Sequence, residues 1–264
     1  MIWWDKKSIE KYRDAFFRST YDNRIEIFFK GWYAFVLVKL ALLGPLFNDL
    51  MQFHQLIGGS SIAGARMLII FVMLLGIMLK RNYFLSILMF VVTLWAHRII
   101  HPVVNGGDLV VLFFMFLGIF CNTRPEFSEG SSLGLFQTAL SNFSILMGKV
   151  QVTLIYLVSG WDKLTSQSWR DGSSLFNLLR VDYYPANWVG YLTQDISLNA
   201  LVVISWLVIL FELWFPLMLW FPKWRYSVLA TGVIFHLLIG IGLSLPDFAL
   251  VMIWCYLLFL DARH

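Results

Sequence analysis

The chain has 264 residues, 59% of them hydrophobic and 14% charged, where an ordinary soluble domain runs about 45–50% and about 25%. That composition excludes a typical soluble globule and supplies apolar material for about six to eight helical spans of about 20 residues each. The formal charge of +4 comes from basic residues gathered at span ends and at the N-terminus, where lipid headgroups select them, which argues against a nucleic-acid role.

Taken in chain order, positions 1–29 mix charges with Trp3, Trp4, Ile9, Tyr12, Phe16 and Phe17. This pattern predicts a basic amphipathic helix lying on the cytoplasmic headgroups. The first 24 residues lack the short apolar core of a cleavable signal, so insertion is expected to begin with the first span. Apolar runs follow at 30–47, 64–79, 83–101, 108–121, 145–161, 200–221, 226–243 and 247–260. The expected fold class is therefore all-α: a polytopic transmembrane helix bundle of about eight spans after an N-terminal amphipathic interfacial segment. Residues 30–264 form one membrane domain, and the fourth and eighth runs are short for about 30 Å of hydrocarbon.

With eight spans, fourteen Lys and Arg residues fall on one side of the membrane and five on the other, with Lys39 inside a span. The positive-inside rule then puts both termini in the cytoplasm. The longest polar connection, 162–199, faces outward. It carries Trp169, Tyr183, Tyr184, Trp188 and Tyr191 and is expected to form interfacial helices over the membrane. Cys121 and Cys255 sit at the ends of apolar runs without ligand-like spacing and read as small buried hydrophobes.

Ionisable residues inside apolar runs are costly, which makes them functional candidates. The third run ends in Thr93, His97 and His101, with Arg98 beside them, and Asn105-Gly106-Gly107-Asp108 opens the fourth. A His pair four residues apart can bind metal, but five histidines are too few for a histidine-rich di-iron site; a mononuclear site from His97, His101 and His236 stays arithmetically open, and no metal is expected. Asp108 also suits a helix cap. In the fifth run Thr153, Tyr156, Gly160 and Lys163 lie on one helical stripe. Lys163 reads either as a base or as an interfacial lysine kept charged by the adjacent Asp162. Glu212 lies mid-span with Pro216 four residues on, so a carboxylate and a freed carbonyl coincide at membrane depth. Its partner is expected to be a basic group on a neighbouring helix, with Lys39 one candidate. In the seventh run Gly232, His236 and Gly240 share a face. Two readings of His236 stay open: tight packing on small residues with an interhelical hydrogen bond, or a ligand or catalytic role.

At these residues the chain resembles a known family. Arg98-Ile-Ile-His101-Pro102-Val-Val-Asn105-Gly106-Gly107-Asp108 is similar to the Arg-x-x-x-Pro…Asn-Gly-Gly-Asp signature of the HTTM family, the bacterial relatives of vitamin K-dependent gamma-carboxylase. Gln151…Tyr156…Gly160-Trp-Asp-Lys163-Leu164…Trp169-Arg-Asp-Gly172 resembles a second block, and Glu212…Pro216 followed by His236 fits the later helices. The resemblance spans roughly residues 20–260. It implies that Lys163 is the base that deprotonates a reduced quinone, that His236 matches the histidine of the penultimate helix, and that carboxylase-like chemistry on a peptide would follow. Residue 162 is Asp where the carboxylase has a second lysine, and Gly106 stands nearest its other active-site histidine. The large extracytoplasmic substrate domain is not expected.

Two functions follow from these residues. One is a quinone- or lipid-dependent, peptide-modifying membrane enzyme with its site in the outer leaflet. Lys163 would be the base, His236 and Glu212 would orient groups or relay protons, and His97, Arg98, His101, Asp108, Tyr156 and Trp169 would line the cofactor site. The other is a non-catalytic membrane subunit or an assembly or maturation factor, whose outer loop and N-terminal segment dock a protein partner. A transporter would want a polar path through both leaflets, and the inner half offers only Lys149 and Gln151. The expected partners are membrane lipid, an isoprenoid quinone and a peptide or protein at the extracytoplasmic face, with no nucleic acid.

Overall fold

A computed structural model describes residues 23–42, 62–99, 104–121, 131–180, 189, 193 and 195–260. Among these the regular structure is helical throughout: α1 (Asn23–Leu42), α2 (Ile62–Met78), α3 (Tyr83–Ile99), α4 (Gly106–Phe120), α5 (Ser132–Thr165), α6 (Gln167–Arg170), α7 (Ser173–Leu178), α8 (Leu198–Met218), α9 (Arg225–Gly242) and α10 (Pro246–Cys255), which tightens into a 3₁₀ turn at Tyr256–Phe259. Among the described residues, each of the eight apolar runs overlaps a helix. Three helices, Ser132–Thr165, Leu198–Met218 and Arg225–Gly242, are long and apolar enough to cross a membrane. Arg66–Met78, Tyr83–Arg98, Gly106–Phe120 and Pro246–Phe259 are apolar but shorter. The predicted N-terminal amphipathic helix lies, as far as residue 22, outside the described residues, and 23–29 belong to α1.

Outward faces of these helices carry large apolar side chains, among them Phe71, Trp95, Trp161, Trp214 and Leu238, each at least two-fifths exposed. In water that surface would be a liability; in hydrocarbon it is the ordinary exterior of a spanning helix. Helix α5 is twice the length of the run read from hydropathy at 145–161. Its first part carries Gln137, Ser141, Asn142 and Ser144, which interrupt the apolar signal without interrupting the helix. At 1.5 Å per residue its 34 residues extend about 50 Å.

The chain divides into two compact units, Met1–Gly148 and Lys149–His264. In the first, α1 packs on α2 and α4, and α3 packs on α2 and α4. Its centre is aromatic. The Trp32 ring stacks on Phe114 at 5.4 Å, and Phe28 meets both edge-on at 5.2 and 5.3 Å. Arg81, almost fully buried, lies over the Phe29 ring at 4.2 Å and donates from Nη2 to the Gly118 carbonyl at 2.7 Å. A cation suits that place because the last carbonyls of α4 form the negative end of its dipole. Ser144 donates to the Leu117 carbonyl at 2.7 Å, tying the first half of α5 to the same helix end.

In the second unit α8 packs on α6, α7 and α9, and α9 packs on α10. The α6–α7 corner turns on Gly172, whose φ of +78° is a left-handed conformation that a side chain disfavours. A Cβ there would also lie 2.9 Å from the Val202 backbone nitrogen, so glycine is what lets this corner lie against α8. Asp171 accepts from the Ser173 hydroxyl at 2.6 Å and from its backbone N–H at 3.0 Å. Those two hydrogen bonds hold its carboxyl below the usual carboxylate range by favouring the ionised form.

Candidate functional site

Each unit holds buried polar side chains among its apolar helices. In the first unit, Asn105 caps α4: its side chain accepts from the Gly107 N–H at 2.8 Å, while Asp108 reaches back to the Asn105 N–H at 2.8 Å. This is a capping box, which satisfies otherwise orphaned helix-start donors from both directions. Asp108 Oδ2 also receives Lys39 Nζ at 2.5 Å, with both side chains buried. His97 is bound at both nitrogens, Nδ1 to the Thr93 carbonyl at 2.7 Å and Nε2 to the Asp108 carbonyl at 3.1 Å.

The predicted cap role of Asp108 is thus present, with an ion pair added. Lys39 pairs with Asp108 rather than with Glu212. Arg98 is exposed at the end of α3, and His101 lies outside the described residues. Among the described residues no group of three or more His, Cys, Asp or Glu side chains could hold a metal.

The second cluster grows from the stripe on α5. Gly160 is the reason α5 and α8 approach closely: a Cβ on it would stand 3.0 Å from Leu213 and 3.1 Å from the Glu212 Cβ. One turn further on, Lys163 Nζ reaches both Glu212 oxygens, at 2.8 and 3.1 Å, and donates to Ser159 Oγ at 2.6 Å. The Trp169 ring covers the ammonium at 5.1 Å, a cation–π contact that strengthens with desolvation. The side chains of Lys163 and Glu212 are 18% and 8% exposed. The carboxylate that pairs with Lys163 is thus Glu212, while the neighbouring Asp162 is exposed.

Deeper in the same unit, the Tyr156 hydroxyl bonds to His236 Nε2 and, at 2.5 Å, to the Tyr256 hydroxyl. The three polar groups form one chain across α5, α9 and the turn after α10. His236 is 2% exposed, and its Nδ1 has no hydrogen-bond partner. The two glycines beside it are filled by the protein itself. A Cβ on Gly232 would lie 2.6 Å from Phe215 and from the Tyr256 hydroxyl, and one on Gly240 would lie 2.8 Å from the Ala249 Cβ. Of the two readings of His236, tight packing with an interhelical hydrogen bond describes Nε2 and the glycines, while Nδ1 is left to the other. Thr153, next along the stripe, accepts from the Trp220 indole N–H at 3.0 Å.

Sequence reasoning missed Ser159 and Tyr256. Ser159 lies four residues before Lys163 and so shares its face, a signal that was readable. Tyr256 sits in an apolar run whose 3₁₀ ending turns its hydroxyl inward, which no periodicity reports.

No protein-family model matches the chain, and no solved structure matches it. Two curated proteins of Bacillus subtilis (strain 168) are similar. The sporulation-delaying protein SdpB is 25% identical over 115 residues, 42% of this chain and 36% of SdpB. The uncharacterized protein YitO is 29% identical over 173 residues, 60% of this chain and 54% of YitO. The chain therefore spans about half the length, or less, of the curated relatives it matches.

Proposed function

We propose that this chain is a multi-pass membrane protein of about eight spans, with both termini in the cytoplasm of a bacterial cell, and that the Lys163–Glu212 pair is its reactive centre. The observation that carries this reading is an ammonium–carboxylate pair placed between apolar helices, held by Ser159 and roofed by Trp169. A pair of this kind can take a proton from an acidic hydroxyl while keeping a positive charge beside the anion formed. The ligand O–H bond breaks, the proton ends on Glu212, and Lys163 stays an ammonium against the new oxyanion. The ammonium has no lone pair to accept with, so the carboxylate is the acceptor, and no electron moves. A flat, apolar molecule with a phenolic hydroxyl, such as a reduced quinone, suits a site with an indole over the cation. Quinone- or lipid-dependent modification of a peptide at the outer leaflet is the activity this reading extends to, in keeping with the resemblance of the Lys163 block to the carboxylase-like HTTM family.

A second reading has an observation of its own. His97, Asp108, Tyr156 and Tyr256 are all bound to other groups of the chain, as expected of a non-catalytic membrane subunit or maturation factor held together by polar contacts. The two are separated by solvent extraction and mass spectrometry of the purified protein, comparing wild type with Lys163→Ala and His236→Ala. A stoichiometric quinone or other hydroxylated lipid lost from the variants supports the enzyme. No retained small molecule, together with stoichiometric co-purifying protein, overturns it in favour of the subunit.

A further inference from the structure

We propose that the turn end of the α2–α3 hairpin is a binding site for an anionic phospholipid, with an acyl chain in the groove between the helices and Lys80 on the phosphate. The groove has a volume of about 490 Å³ and is lined by Val72, Leu75 and Leu79 of α2 and its end, and by Phe84, Leu85, Leu88 and Met89 of α3. The lining positions recur at three- and four-residue spacing on each helix, so two apolar ridges face each other. The helices are tight further in, where a Cβ on Gly76 would fall 2.5 Å from the Met89 sulfur. Beside the 79–82 turn the floor of the groove is Met89, fully buried, while Leu79 and Phe84 stand at its rim, at least half exposed. The volume is that of an ordinary small-molecule site.

Lys80 and Asn82 also line this groove, at its mouth. Lys80 is exposed and has no acidic partner among the described residues. Asn82 uses its side-chain oxygen to cap the Leu85 N–H at 2.8 Å, which leaves its amide N–H pair to a ligand. An apolar trough ending in an ammonium and an amide donor is complementary to a molecule with a hydrocarbon tail and an anionic head. The charge selects an anionic lipid over a zwitterionic one. The inference rests on the membrane-spanning part of the reading above and is independent of the Lys163 centre.

The test is native mass spectrometry of the full chain in detergent, titrated with phosphatidylglycerol or with phosphatidylcholine of the same acyl chains. Wild type is expected to take up one phosphatidylglycerol at least fivefold more readily than phosphatidylcholine. Lys80→Glu is expected to abolish that preference, and Leu88→Trp, which fills the trough, to lower uptake of both lipids. Lys223→Glu, an exposed lysine outside the groove, is expected to leave the preference intact. Equal uptake of the two lipids by wild type, or the same loss from Lys223→Glu as from Lys80→Glu, overturns the proposal. Retention of the chain in membranes after an alkaline wash is measured in parallel. If it stays in the membrane without lipid preference, the site alone fails; if it washes off, the membrane reading fails with it.

Discussion

Replacing Lys163 with Met removes the ammonium from a carboxylate that is 8% exposed. At the observed separation of 2.8 Å and an effective dielectric of about 20, the gross attraction is about 6 kcal/mol. Desolvation of both ions offsets much of it, but breaking one side of such a pair strands the other and costs about 3–5 kcal/mol. Lys163→Met is therefore expected to destabilise the protein by about that amount, and Glu212→Leu by a similar amount. The double variant is expected to recover most of the loss, because no buried charge is left over. Reversible unfolding in mixed micelles, followed by tryptophan fluorescence and helical circular dichroism, measures all four corners of the cycle. The coupling expected is about 4 kcal/mol or more; a value below about 0.5 kcal/mol, the usual error of additivity for independent sites, would show that water already separates the two charges and would refute the reasoning. The same double variant divides structure from chemistry. If Lys163 and Glu212 only hold α5 to α8, the double variant keeps every property of wild type, whereas a reactive pair leaves a stable protein that has lost its ligand.

Three further outcomes are expected. Gly240→Ala overpacks α9 against α10 and costs about 1–3 kcal/mol; since the obstructing atom is the Ala249 Cβ, Ala249→Gly in the same chain restores most of the stability, and a rescue of less than a third rules out this contact as the cause. Asp108→Asn keeps an acceptor for the Asn105 N–H but removes the charge beside Lys39, with an expected cost of about 3–5 kcal/mol that Lys39→Met relieves, read by the same unfolding assay. Asp171 ionises at lower pH in the folded chain than in the unfolded one, so its stabilisation of the α6–α7 corner is complete above the unfolded carboxylate pKa and is lost as pH falls through the lowered folded value. Hydrogen exchange at the Ser173 amide is expected to accelerate across that acid window in wild type and to show no such step in Asp171→Asn.

The helices were legible in the sequence because lipid-facing helices are written in continuous apolar runs, and α8, α9 and α10 begin within two residues of their expected starts. Helix α5 was not, since hydropathy reports environment and its first half pays out polar side chains such as Ser144, which bonds a carbonyl of α4. The candidate groups were legible one by one: Lys163, Glu212, His236 and Asp108 stand out as polar atoms in apolar runs. Their partners were not. Which acid meets which lysine depends on which helices touch, and a helical stripe fixes only the direction in which a side chain leaves its own axis. Hence Lys39 met Asp108, and Glu212 met Lys163, where the sequence offered Lys39 as one candidate partner for Glu212 and Asp162 as the neighbour of Lys163.

That division has a physical cause in the solvent. Between helices in lipid there is little hydrophobic gain in exchanging tail contacts for side-chain contacts, so association leans on close approach at small residues and on interhelical polar bonds. Gly160 and Gly240 supply the first, opposite Leu213 and Ala249. The Lys163–Glu212 pair and the Tyr256–Tyr156–His236 chain supply the second. Each polar contact lies within one helical turn of a glycine on the same helix: Lys163 is three residues from Gly160, and His236 is four from both Gly232 and Gly240. The glycines bring the backbones near enough for short side-chain bonds to form. What packing leaves over is then the informative remainder. Pairing with Glu212 does not account for the Trp169 roof over Lys163, and the bond to Tyr156 does not account for the bare Nδ1 of His236. Those two groups, more than the ion pair itself, are the features on which the proposed ligand reading rests.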